Sequence, residues 1–181
     1  MPDPGHPTRT LLLDTGLELA DTASLGGIPI DDVVRAAQVA KGTFYVHFPS
    51  RSEYLLAMHQ HFHDRLRGAI ERASAGLAPG GRHLRAGTVA YLDGCLSARG
   101  VKAMLASARG EPAISARVAA TNRRFALDAE PDFATLGAAR PYQRAVLYVA
   151  MVAEIALLEL ELGAGDPQLR GELWELAGIS L

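Results

Sequence analysis

Between Lys41 and Arg51 the chain carries Thr43, Tyr45 and His47, so amine, hydroxyl, imidazole and guanidinium groups fall within a few positions. All of them donate hydrogen bonds, the chemistry that meets phosphate oxygens and the acceptor edges of bases. Gly42 lets a backbone come close to a partner, while Phe44 and Phe48, four apart on one helical face, can anchor the segment to its own core. Other polar groups point elsewhere. His59 and His63 share a helical face and His61 points nearly opposite. Such a pair has zinc-ligand spacing, but no third ligand accompanies it, so an ordinary surface is expected and no metal. Cys95 stands alone, which excludes an intrachain disulfide and fits a small buried hydrophobe in a reducing, cytoplasmic setting. Neither G-x-S-x-G, H-E-x-x-H, a P-loop nor a dinucleotide fingerprint occurs. No catalytic residue, cofactor or enzymatic activity is therefore expected.

These donors need a scaffold, and the punctuation of the chain predicts an all-α one. A first helix is expected from about Thr8 to Ala23, with Leu12, Leu13, Gly16, Leu19 and Ala20 at helical spacing, broken by Leu25-Gly26-Gly27. Ile28-Pro29 restarts the chain with proline in a first helical turn, followed by Asp31 and Asp32, which suit the helix dipole. That short helix carries Val33, Val34, Ala36 and Ala37; Gln38-Val39 turns, and a third helix covers about Lys41 to His47. Two short helices joined by a tight turn after a longer one predict a helix-turn-helix. Small Ala36 and Ala37 allow close approach, and Val39 can point inward.

Ser50-Arg51-Ser52-Glu53 reads as a capping box opening a long helix to about Ala75. Further helices are expected over Arg82–Ser97, Val101–Ala108, Pro112–Leu127, Pro141–Leu162 and Pro167–Ala177, about nine in all. The last opens on Asp166-Pro167, a cap followed by proline. Residues 1–54 are expected to form the helix-turn-helix domain and 55–181 a larger helical domain.

Composition narrows the function. The 181 residues are 49% hydrophobic with a formal charge of −2, which excludes a uniformly basic protein, so any nucleic-acid binding must rest on local charge placement. Arg9, Arg35, Lys41 and Arg51 are outnumbered by Asp3, Asp14, Glu18, Asp21, Asp31 and Asp32. The Pro-rich start lacks a basic and an apolar region, so no secretion signal is expected. The most apolar stretch, Ala145–Leu158, carries Glu154 and falls short of the roughly 20 residues that span a bilayer. It is expected to be buried on most sides, within the fold or at a subunit interface, and no membrane partner is expected.

Lys41-Gly42-Thr43-Phe44-Tyr45-Val46-His47-Phe48-Pro49-Ser50-Arg51-Ser52-Glu53 resembles the signature of TetR-family transcriptional regulators. Arg9 with Leu12-Leu13, and Asp31-Asp32-Val33-Val34-Arg35-Ala36-Ala37, resemble the family's first and second helices. The chain departs from the pattern at several places. Gln38 stands where the turn usually has glycine, Ala40 where a capping serine is common, Pro29 where a threonine is common, and Gly16 and Ala20 where alanine and an aromatic are usual. A loosened but working DNA-binding unit is expected.

The resemblance implies a ligand-responsive repressor, released from its operator by a small, largely apolar effector. It also implies a homodimer through the last two long helices, bound to a pseudo-palindromic operator on double-stranded DNA. Recognition helices would then sit about 34–36 Å apart. Tyr45, His47 and Arg51 are assigned to phosphates, Lys41, Gly42 and Thr43 to the groove, and Arg9, Thr10 and Arg35 to flanking phosphates. Apolar area for the dimer is expected from Val146, Val149, Val152, Ala153, Ala156, Leu157, Leu160, Leu173, Trp174 and Leu176. Phe62, Tyr91, Cys95, Met104, Phe125, Tyr148, Met151 and Glu154 are the candidate effector contacts. Glu154, an acid within an apolar helix, should either be paired or meet a polar ligand. The alternative is a helical small-molecule carrier whose DNA binding is weakened or lost, suggested by Gln38, Ala40 and the local acid excess.

Overall fold

The computed structural model describes residues 6–22, 28–99 and 112–179. Among them the regular structure is entirely helical: α1 (Pro7–Thr22), α2 (Ile30–Ala36), α3 (Lys41–His47), α4 (Arg51–Ser74), α5 (Gly81–Ser97), α6 (Pro112–Thr135), α7 (Pro141–Leu162) and α8 (Pro167–Ala177). The helix expected over Val101–Ala108 lies outside the described residues, as does the Leu25-Gly26-Gly27 break. The chain divides into two compact units, Met1–Asp64 with Ala98–Ile114, and Arg65–Ser97 with Ser115–Leu181.

In the first unit α1 packs on α2 and α3, and α2 on α3. Leu12, Leu13, Leu17 and Ala20 of α1, Val33 and Val34 of α2, Ala37 just past its end and Phe44 of α3 make up the buried core. Ala37 is buried but Ala36 faces outward, so only one of the two small residues serves the close approach. Pro29 is the N-cap residue of α2 rather than its first helical residue, with φ −64° and ψ 139° and no side-chain cap bond. Proline's fixed φ suits that extended position as well as a first turn. The turn itself runs through Gln38 in the left-handed region, φ 56°. The Val39 amide then donates to Val34 O at 3.0 Å, closing the corner. Ala40 caps α3 without a side-chain bond.

An aromatic cluster holds α3 down. Phe44, Phe48 and Tyr54 pack in tilted and edge-to-face pairs with ring centroids 5.4, 5.0 and 4.9 Å apart. Buried Tyr54 on α4 donates its hydroxyl to Leu12 O of α1 at 2.8 Å. Gly16 is what admits that hydroxyl, since a β-carbon there would collide with it. The departure at Gly16 is thus matched by a tyrosine that fills the space. At the start of α4 the Glu53 amide donates to Ser50 Oγ at 3.1 Å, the expected cap. Farther along, His61 Nε2 meets Asp14 Oδ1 at 2.7 Å, a second tie to α1.

In the second unit α5 packs on α7 and α7 on α8. Asp166 caps α8, accepting from the Gln168 and Leu169 amides at 2.9 and 3.0 Å. Gly163 and Gly178 end α7 and α8 at φ 81° and 73°. One expectation is corrected. Helix α6 does not stop near Leu127 but continues through Pro131 to Thr135. Phe133 and Asp132, both deeply buried, keep that last stretch docked, and tertiary packing outweighs the missing proline amide. Within the protomer, helix α7 buries one face. Ala145, Tyr148, Val152, Ile155, Ala156 and Glu159 line its inner face, while Val146, Leu147, Leu158 and Leu162 are exposed.

Candidate nucleic-acid interface and a separate cavity

Helix α3 sorts its residues by face. Phe44 and His47 point inward, with Phe48 just beyond the helix end, whereas Lys41, Gly42, Tyr45 and Val46 face solvent. No atom lies within 4 Å of where a β-carbon on Gly42 would stand, so the backbone there is open to close approach. Thr43 is half-buried at the margin. Arg51 is exposed in the first turn of capped α4, whose free amides also favour an anion. Arg35 is exposed on α2, and Thr10 is half-buried on α1. Arg9 lays its guanidinium 5.1 Å from the Phe48 ring centroid, joining the N-terminal helix to the end of α3.

His47 departs from its assignment to phosphates. It is buried, its ring centroid 4.9 Å from that of His6, and its Nδ1 has no hydrogen-bond partner among the described residues. Burial first, then the positive charge of neighbouring His6 and Arg9, holds its imidazole below the ordinary histidine value. Its position favours a neutral ring that supports α3 from beneath.

The second unit contains a cavity of about 350 Å³. Ile70, Leu84, Tyr91, Phe125, Val149 and Val152 supply apolar wall. Several of its polar groups are paired in place. Thr88 and Tyr148 share a hydroxyl–hydroxyl bond of 2.8 Å, and burial pushes the Tyr148 phenol well above its ordinary range, so it stays a donor. Asp132, buried to 2% exposure, accepts from the Gly80 amide at 2.7 Å and holds His83 Nδ1 at 2.9 Å. Arg67 pairs with Asp128 at 2.8 Å and lies 5.7 Å from the Phe125 ring centroid. An apolar hollow with a few fixed polar groups suits a small organic molecule.

Comparison with known proteins agrees with the first unit. Residues 12–58 match the model for bacterial regulatory proteins of the tetR family. This segment is similar to the tetR family. The HTH-type transcriptional repressor LfrR of Mycolicibacterium smegmatis is 38% identical over 89 residues, which cover 48% of this chain and 44% of the repressor. The match thus spans less than half the length of that curated relative. Solved structures share the fold. A transcriptional regulator from Rhodococcus sp. Rha1 superposes with TM-score 0.76 at 20% identity, covering 94% of each chain. Reduced NemR of E. coli gives 0.76 at 20%, covering 96% of this chain and 97% of its own. A tetR-family regulator from Streptomyces coelicolor gives 0.69 at 23%, covering 94% and 77%. The tetR family is one of regulatory proteins, not enzymes.

Within this matched segment, Lys41, Gly42 and Tyr45 share the outward side of α3, with Arg35 and Arg51 exposed on the helices either side of it. Sequence reasoning passed over Val46, 65% exposed on the same helix. The signal was present, since a valine two places after Phe44 cannot share its inward face. Of the effector candidates, Tyr91, Phe125 and Tyr148 line the cavity. Cys95 is buried in the core and Met151 half-buried, neither on the cavity wall, and Phe62 is buried in the first unit. Met104 lies outside the described residues. Glu154 is corrected outright: it is exposed, and the buried acid of α7 is Glu159. Glu159 accepts from Arg170 Nε and NH2 at 2.7 and 2.9 Å, and Arg170 also reaches Asp93 at 2.9 Å. Thr88, His83 and Asp132 are among the polar cavity residues that were missed.

Proposed function

We propose that this chain is a DNA-binding transcriptional repressor whose operator affinity responds to a small, largely apolar molecule held in the second unit. The carrying observation is the division of α3, with an aromatic layer beneath and an open face of Lys41, Gly42, Tyr45 and Val46 above. On that face Tyr45 and Arg51 serve phosphates and fix register, Lys41 and Thr43 reach base edges, and Val46 packs on a thymine methyl. Arg9, Thr10 and Arg35 serve the flanking backbone. A likeness to a named repressor over 89 residues supports the same reading.

The cavity carries the ligand half of the reading. Tyr91, Phe125 and Tyr148 offer aromatic surface, and the Thr88–Tyr148 pair offers one remaining hydroxyl donor. That suits a neutral aromatic with an acceptor oxygen. Operator and effector affinities would then be coupled reciprocally. A homodimer is proposed through the outer faces of α7 and α8, where Leu147, Leu158, Leu162 and Leu176 are exposed. No helix among the described residues is long and apolar enough to cross a membrane. The test is selection of duplexes from a random pool by the intact protein. Enrichment of a two-fold symmetric sequence supports the reading, and recovery of unselected sequence refutes it in favour of a ligand carrier.

A further inference from the structure

Two cations of the proposed DNA face are already engaged. Lys41 Nζ lies 2.6 Å from Asp31 Oδ1, and Arg35 NH1 lies 2.9 Å from Asp32 Oδ1. Both acids stand in the first turn of α2, while Lys41 opens α3, so the Asp31–Lys41 pair bridges the turn of the motif. Its side chains are 55% and 61% exposed, which makes it weak and easily exchanged. The Asp31 carboxylate, accepting from the ammonium, nevertheless raises the Lys41 pKa above its ordinary value.

We infer that Asp31 is an internal competitor that withholds Lys41 from DNA phosphates and leaves it for base edges. The inference rests on the DNA-binding reading above. A phosphate on an arbitrary duplex offers Lys41 a partner of the same kind as Asp31, a solvated oxyanion. Taking it gains little and leaves the Asp31 carboxylate facing a like charge. A guanine edge offers directed acceptors at O6 and N7 without that repulsion, so only there does the amine change partners. Electrostatic attraction to phosphates supplies nearly all non-specific binding. A cation removed from that pool lowers the background against which an operator must compete. Asp32 pairs with Arg35 within α2, i,i+3, and does not bridge the turn, so Arg35 keeps its place on the flanking backbone. Through Asp31, the local excess of acid in the first unit has a role in selectivity.

The test uses the intact protein, a random-sequence duplex, and duplexes that the wild type enriches from a random pool. Affinities are measured over a range of salt. Asp31→Asn is expected to bind the random duplex about fivefold more tightly. Its log-affinity should fall more steeply with log salt by about one unit per protomer. On enriched duplexes the slope should not change, because Lys41 has already left Asp31 there. Asp31→Glu should behave as wild type, and in a Lys41→Gln background Asp31→Asn should have no effect. Unchanged affinity and slope on the random duplex would overturn the inference. So would a gain that survives Lys41→Gln, which would mark a general charge effect. Loss of enriched-duplex binding in Asp31→Asn would also overturn it, making Asp31 a reader of cytosine. If the wild type enriches no duplex, the DNA-binding reading itself fails, a result distinct from all of these.

Discussion

Gln38 holds a backbone conformation that favours glycine, φ 56°, at an exposed turn. An L-residue there carries about 1–2 kcal/mol of strain, partly offset by the greater freedom glycine has when unfolded. Gln38→Gly is expected to raise stability by about 1 kcal/mol, moving the thermal midpoint up by about 2–4 °C. His47 makes a pH claim. Its imidazole titrates below the ordinary histidine range when folded, because burial disfavours the charge. The folded state then binds fewer protons than the unfolded one between that lowered value and about 6.5. Stability from this group is whole above about pH 6.5 and is lost as pH falls through that window. Thermal midpoints from pH 7.5 to 5 are expected to decline less steeply in His47→Phe than in wild type; parallel slopes would contradict this. Gln38 stood out in the sequence as a departure from glycine, whereas residue type alone did not reveal the burial of His47. His47 has the chemistry of a phosphate contact, and only the register of α3 turns it inward. Likewise an acid in the apolar run of α7 is unusual at Glu154 and at Glu159, and the face decides which one needs a partner.

The short helices were legible because their stops are local: Ala40 and Phe48-Pro49-Ser50 bound α3, Asp166-Pro167 opens α8, and Gly163 and Gly178 end α7 and α8. Helix α6 was not, because its last turns past Pro131 depend on burial of Asp132 and Phe133 against distant residues. Distant partners also explain why the polar lining of the cavity was missed. Thr88 and Tyr148 come from α5 and α7 and meet only once the helices pack. The tie between α7 and α8 is the fully buried Glu159 with Arg170, 16% exposed. Arg170→Ala leaves that carboxylate uncompensated and is expected to cost about 3–5 kcal/mol by chemical denaturation. Replacing both by apolar residues, Glu159→Leu with Arg170→Met, should recover much of it. Glu154→Leu, on the exposed face, should stay within about 0.5 kcal/mol.

At the scale of the whole molecule, two proposed properties depend on surfaces of the second unit. Of the expected dimer contacts, Val152, Ala156, Leu173 and Trp174 are buried within the protomer, whereas Val146 and Leu176 are exposed, as are Leu147, Leu158 and Leu162, which were not among the expected contacts. Leu147→Glu with Leu158→Glu is expected to yield a folded monomer by sedimentation and to weaken operator binding strongly; a persistent dimer would place the interface elsewhere. Ala153→Trp, which fills the cavity, should abolish thermal stabilisation by neutral aromatic probes while leaving DNA affinity within about twofold. The central claim is that the open face of α3 docks on duplex DNA. The most direct measurement is anisotropy of an enriched duplex titrated with wild type and Tyr45→Ala at matched salt, with circular dichroism on both. Tyr45 is 45% exposed, so the variant is expected to keep its fold and lose about tenfold in affinity. Equal affinity of the two proteins would contradict the claim.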